Sequence, residues 1–354
     1  MGTLSFGSPS RHVRRLAAAL SVGLVWAMAS LTALAAPDPA PSAEVDAKTQ
    51  ALARAHAAVV GVQATAVDDA RSVETLGRQR RGTGVVIDAS GLVLTIGYLI
   101  LEADHVDLIF EGDRKLPARV VAYDLASGFG LLQPLAPVKV APVQLGNSAK
   151  VSDDEALMIA SGGAEGSLSL ARMVSRRAFS GYWEYHIEGA LFTSPPRTDH
   201  SGAGLFNASG ELMGIGSLVV SDALGPGKPR LPGNMFVPVD LLKPILAEMR
   251  ERGASRHSTR AWLGLTSVEQ DGGVRVVRTS RDSPAEQSGL QPGDRIVSID
   301  GTRVNGLEAL YKNLWDSESP QREVVLEVQR DGEARTFKLI SVDRMKTLSR
   351  PKGI

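Results

Sequence analysis

Asp199–Ser217 reads DHSGAGLFNASGELMGIGS. Ser201 stands among small residues and runs into an apolar strand, Leu205–Phe206. An Asn-Ala-Ser-Gly turn at 207–210 then returns the chain into a second apolar run, Leu212–Ile215. That is the signature of a hairpin with a polar turn. A serine on a tight small-residue turn ahead of a strand is also how a nucleophile is presented to solvent. The same residues suit a turn serine kept only for its size. Deciding between the two requires a base, a group that orients the base, and oxyanion donors elsewhere in the chain.

Outward from this stretch the pattern stays β-rich. GTGVVID (82–88), LVLTIG (92–97), HVDLIFEG (105–112) and ARVVAYD (118–124) are short apolar runs parted by Gly, Pro, Asp and Asn. Such runs at close spacing predict a barrel or sandwich and argue against βαβ units. AKTQALARAHAAVV (47–60) predicts a short helix leading into a strand. In PVDLLKPILAEMRERG, Leu241, Leu242, Ile245, Leu246 and Met249 fall on one helical face and Gly253 is a natural stop. RGASRHSTR (252–260) reads as a linker. Beyond it lies a compact α+β segment whose clearest helix is GLEALYKNLWDS, 306–317.

The 354 residues leave room for about two domains. Lys+Arg and Asp+Glu are both 39, so no net field draws the chain to nucleic acid or an anionic surface. Cysteine is absent, which excludes disulfides, thiol catalysis and thiolate zinc sites. No His/Asp/Glu spacing suggests a metal centre, and no cofactor motif is present. Arg11, Arg14 and Arg15 precede the apolar run LAAALSVGLVWAMASLTALAA, with small residues at Ala33–Ala35. These are the three regions of an export signal. We therefore expect a signal peptide over 1–35, with an uncleaved anchor as the alternative. A Pro-rich linker is expected over 36–48.

Four segments together resemble the Deg/HtrA family of trypsin-like proteases. RGTGVVIDASGLVLT is similar to the strand pair before the catalytic histidine, and ARVVAYDLASGFGLLQ to the segment bearing the catalytic aspartate. DHSGAGLFNASGELMGIGS resembles the nucleophile segment, and MFVPVDLLKPIL the end of the protease domain. RAWLGL (260–265) and SPAEQSGLQPGDRIVSIDGTRV (283–304) resemble a PDZ domain. The resemblance implies a mainly β chain: a trypsin-like double β-barrel over 49–252, a linker over 253–260, a small α+β PDZ domain over 261–343 and a tail over 344–354.

By resemblance Ser201 occupies the nucleophile position. The family's Thr-Asn-Asn-His becomes Thr95-Ile96-Gly97-Tyr98, so Tyr98 stands for the histidine, and Gly128 stands for the aspartate. A free phenol with a reference pKa of about 10 is ionised to only about one part in a thousand at neutral pH. The family's Gly-Asn-Ser-Gly-Gly-Pro becomes DHSGAG, which puts Asp199, a negative charge, at an oxyanion-hole position. Triad loss alone costs on the order of 10⁶ in rate in enzymes of this chemistry. His105, on an alternating strand, and His200, beside the serine, are the substitute bases to consider.

In the PDZ segment, Trp262-Leu263-Gly264-Leu265 would form the loop that holds a peptide's C-terminal carboxylate. The following strand would pair with the peptide and the 306–317 helix would form the far wall. We expect an open groove, the alternatives being a domain that only packs against its neighbour or a groove filled from within. Three readings follow: an exported pseudoprotease that binds protein C-termini or unfolded segments, an active endopeptidase using Ser201 with an unforeseen base, or a structural subunit. The resemblance also implies trimer-type assembly, with itself or with a relative.

Overall fold

The computed structural model describes residues 43–163 and 166–349. The expected signal peptide lies outside the described residues. The first helix, α1 (Ala43–Ala57), begins earlier than the sequence suggested, so residues 43–48 are helical and not linker.

Six strands follow, with a short helix α2 (Val73–Leu76) between the first two: β1 (Val59–Ala66), β2 (Gln79–Val86), β3 (Val93–Ile96), β4 (Ala103–Phe110), β5 (Arg114–Tyr123) and β6 (Phe129–Pro134). They close into a barrel in the order β1-β2-β3-β6-β5-β4. A second closed barrel runs β10-β11-β12-β9-β8-β7. Its strands are β7 (Ala156–Ala160), β8 (Leu168–Gly181), β9 (Tyr185–Ser194), β10 (Gly204–Phe206), β11 (Leu212–Val220) and β12 (Gly233–Pro238). Closure leaves no unpaired strand edge in either barrel. Inward-pointing Val85, Leu94, Leu108, Phe129 and Leu131 fill the first barrel, and Leu157, Ile159, Leu191, Leu205 and Phe236 the second.

The closing helix is shorter than its apolar face predicts. Val239–Leu241 form a single 3-10 turn, and the α-helix α3 spans only Leu246–Arg252. Pro244 has no N–H and cannot continue a helical ladder, so the face is divided there. Gly253 ends α3 with φ of 82°, its N–H returning to the Met249 carbonyl.

The segment over 253–260 is held, not slack. The Asp124 carboxylate, fully buried in the first barrel, accepts from the Ser255 N–H and from the hydroxyls of Ser255 and Ser258. Next come β13 (Ala261–Trp262), β14 (Leu265–Gln270), β15 (Gly273–Thr279), α4 (Pro284–Gln287), β16 (Arg295–Ile299), β17 (Thr302–Arg303), α5 (Leu307–Leu314), β18 (Glu323–Arg330), β19 (Glu333–Ile340) and β20 (Val342–Asp343). The sheet runs β14-β15-β16-β18-β19, which leaves β14 on an edge beside α5. The expected tail is ordered over a 3-10 turn, Arg344–Thr347, and Ser349 N–H donates to Glu102 of the first barrel at 2.7 Å.

Candidate functional site

The two barrels bring the nucleophile position and its expected partners together. Ser201 sits on the turn before β10, and Tyr98 on a 3-10 turn after β3. Tyr98 Oη lies 2.8 Å from Ser201 Oγ and 2.9 Å from the buried carbonyl of Ser217 on β11. A phenol has one proton, and a carbonyl can only accept. When that proton goes to Ser217, the Ser201 hydroxyl must donate to the phenol oxygen. Burial pushes the Tyr98 phenol up to about 12, against a smaller downward pull from the bond to Ser201. At neutral pH only about one phenol in 10⁵ is then ionised. A phenol so rarely ionised is a poor acceptor for a serine proton at neutral pH.

The aspartate position is closed as well as empty. Gly128 has φ of 79°, and a Cβ built there would lie 2.7 Å from the Tyr185 hydroxyl. That hydroxyl donates to the Ser127 carbonyl at 2.9 Å. Tyr185, the first residue of β9, therefore fills the space an orienting carboxylate would need. This was not legible beforehand, because nothing in GYWEY marks a side chain destined for the other barrel.

At the oxyanion position Asp199 is not the lone negative charge that the sequence suggested. Arg197 donates to it from Nε at 2.9 Å and from Nη2, and the Ser161 and Ser167 hydroxyls also reach it. Partial burial raises the Asp199 carboxyl. The Arg197 and Ser161 hydrogen bonds, the Arg197 charge and the residue's own main-chain N–H outweigh that and hold it at about 2. The carboxylate is ionised at neutral pH and places a negative charge at the edge of the cleft where an oxyanion would form. Gly202 has φ of 76°, and its added Cβ would meet the Thr83 carbonyl at 2.0 Å, so only glycine fits beside the serine. Asp199, Ser161, Gly162, Thr83, Arg81 and Ser201 line a cleft of about 380 Å³.

Neither candidate histidine hydrogen-bonds to Ser201. His105 lies on β4, largely exposed, and pairs with Asp107 at 3.0 Å. His200 Nδ1 faces the carbonyls of Arg197 and Thr198 at 3.2 and 3.1 Å, and burial lowers its pKa. Among the described residues the group with a metal-like donor set is His186, Glu188 and Glu308. There the Lys312 ammonium already bridges both carboxylates, at 2.7 and 2.6 Å.

In the second domain the structure departs from the expected open groove. Leu263 N–H and Leu265 N–H donate to the two carboxylate oxygens of Glu184, at 3.1 and 2.7 Å. Glu184 comes from the turn between β8 and β9 of the second barrel. Gly264 takes φ of 83°, as a converging N–H loop requires, and an added Cβ would strike Ser283. Trp262 is not part of this cradle. It lies in β13, paired with Val342 of β20, and lines a separate hollow with Pro284 and Val342.

A family model described as a trypsin-like peptidase domain matches residues 82–215, and one described as a PDZ domain matches 261–340. A probable periplasmic serine endoprotease, DegP-like, of Hahella chejuensis is 27% identical over 271 residues, covering 72% of this chain and 55% of that protein. The periplasmic pH-dependent serine endoprotease DegQ of Escherichia coli (strain K12) is 25% identical over 266 residues, covering 71% of this chain and 57% of that protein. The chain thus spans a little over half the length of these relatives. Among solved structures, the HtrA-type protease AlgW with a tripeptide superposes with a TM-score of 0.52 at 19% identity, over 84% of this chain and 97% of that one. The serine endoprotease from Yersinia pestis gives 0.51 at 19% identity, over the same shares. At such identity the superpositions establish the fold.

Proposed function

Starting from a chain that belongs with the DegP/HtrA serine proteases, as a trypsin-like peptidase domain followed by a PDZ domain, we propose that it is an exported, periplasmic member that has given up peptide hydrolysis. In this reading it binds exposed protein C-termini or unfolded segments and acts as an adaptor or regulator. It needs no cofactor. Assembly with itself or with an active relative is part of the reading.

The observation that carries it is the contact between Tyr98 and Ser201. The residue in the base position is a phenol raised to about 12, and the position behind it is a glycine whose side-chain space Tyr185 occupies. Periplasmic residence is supported by the relatives, which are named as periplasmic endoproteases, and by the apolar N-terminal segment with its preceding arginines.

The test is direct. The mature protein and a Ser201→Ala variant are incubated with unfolded casein and, separately, with a fluorophosphonate probe. The expected outcome is no cleavage and no labelling in either. Cleavage or labelling that disappears in the Ser201→Ala protein would establish an active endopeptidase and end the proposal. Light scattering on the same sample gives the oligomeric state.

A further inference from the structure

The β8–β9 turn gives its main-chain polar groups to the second domain. Tyr311 on α5 donates its hydroxyl to the Gly181 carbonyl at 2.7 Å and accepts from Glu184 N–H at 3.2 Å. Ser267 N–H on the edge strand β14 donates to the Tyr182 carbonyl at 2.9 Å. Arg344 Nη1 donates to the carbonyls of Trp183 and Glu184 at 3.0 and 3.3 Å. The Glu184 side chain completes the set in the Leu263–Leu265 cradle.

Glu184 also holds φ of 56°. A three-residue hairpin loop ends in the left-handed region, where glycine is favoured and a glutamate is strained. Nothing in the turn itself calls for a glutamate there. Its buried carboxylate on two converging N–H groups does.

We propose that the 181–184 turn is a resident pseudo-ligand of the second domain's groove. Glu184 stands in for a C-terminal carboxylate, and Tyr182 takes the edge-strand N–H that an incoming peptide would take. A polypeptide ending in a free carboxylate gains the groove by displacing the turn. An intramolecular occupant competes at an effective concentration in the millimolar range. The apparent affinity for outside peptides falls by the fraction of molecules in which the turn is seated. This inference rests on the groove being a carboxylate site. It holds whether or not Ser201 hydrolyses anything.

The experiment uses the mature chain carrying Ser201→Ala, so that cleavage cannot intrude. The probe is a fluorescein-labelled hexapeptide pool, randomised at its last three positions, with free or amidated C-termini. Binding is read by anisotropy, and exchange of the Leu263 and Leu265 amides by hydrogen–deuterium exchange. Glu184→Ala is expected to bind the free-carboxylate pool at least about tenfold more tightly than its parent and to lose protection at both amides. The amidated pool should bind neither protein. Tyr311→Phe, which keeps the ring in the core and loses two bonds to the turn, should shift both readouts the same way by less. It also serves as the test should Glu184→Ala fail to fold. Equal binding of the free pool to parent and variants while the parent amides stay protected would overturn the proposal. So would a variant with unprotected amides that binds nothing, or equal binding of the amidated pool.

Discussion

At the scale of single residues, the cleft is decided by what stands beside Ser201. If hydrolysis has been given up as proposed, restoring it would look like a matter of three letters: Tyr98→His, Gly128→Asp and Asp199→Gly. The structure says this is not enough. An aspartate at 128 would need φ near 79° and a Cβ 2.7 Å from the Tyr185 hydroxyl. Strain of this kind costs about 1–3 kcal/mol per residue. We predict that the triple variant shows no Ser201-dependent turnover of casein and loses about 1–3 kcal/mol in urea denaturation. Turnover by the triple variant would show that Tyr185 yields and that the site was three substitutions from activity. Tyr98, Gly128 and Asp199 were legible in the sequence because each falls at a fixed offset within a motif. Tyr185 was not, since its role depends on where a strand of the other barrel begins. Arg197 was missed because a cation two residues from Asp199 has no motif to announce it.

At the scale of elements, the β8–β9 turn is where the sequence was least informative. The strands were readable from alternation, and the groove loop from its glycine, but GYWEY carries no signal that a glutamate will enter a distant domain. Burial raises the Glu184 carboxyl to about 7, while Arg344 and the N–H groups of Leu265, Leu263 and Gly264 pull against it. Facing it from α5 is the Tyr311 phenol, itself raised by burial and by Glu184. Released into solvent, Glu184 would return to its ordinary value of 4.5. The seated form therefore binds the extra proton between these values. Seating is most favourable below about pH 4.5, weakens as pH rises, and levels off above about 7. We predict that opening, read from Leu263 and Leu265 exchange corrected for intrinsic rate, increases by on the order of a hundredfold from pH 4.5 to pH 8. Glu184→Gln, neutral throughout, should flatten that profile while keeping the turn seated. An unchanged slope in this variant would assign the pH dependence to another group.

At the scale of the whole molecule, the barrels and the second domain are tied by buried polar contacts that a division into domains and linkers does not foresee. Glu184 reaches from the second barrel to the groove loop. Asp124 reaches from the first barrel to Ser255 and Ser258 between the domains. Burial raises the Asp124 carboxyl, but its hydrogen bonds from Ser127, Ser255 and Ser258 bring it below the ordinary range. Its contribution is thus present above the usual carboxylate pKa and is lost as pH falls through and below that range. Removing a fully buried acceptor with this many donors is expected to cost on the order of 3–5 kcal/mol. Asp124 follows β5 and Glu184 lies in the β8–β9 turn; the two contacts share no partner, so their losses should add. If they couple the domains, calorimetry near pH 6 gives one transition for the parent and for each of Asp124→Ala and Glu184→Ala. The double variant then separates into two transitions, the second-domain one reported by Trp262 and Trp315 fluorescence. A single transition in the double variant would mean that the remaining contacts between the domains, such as those of α5 with β8 and β9, carry the cooperativity by themselves.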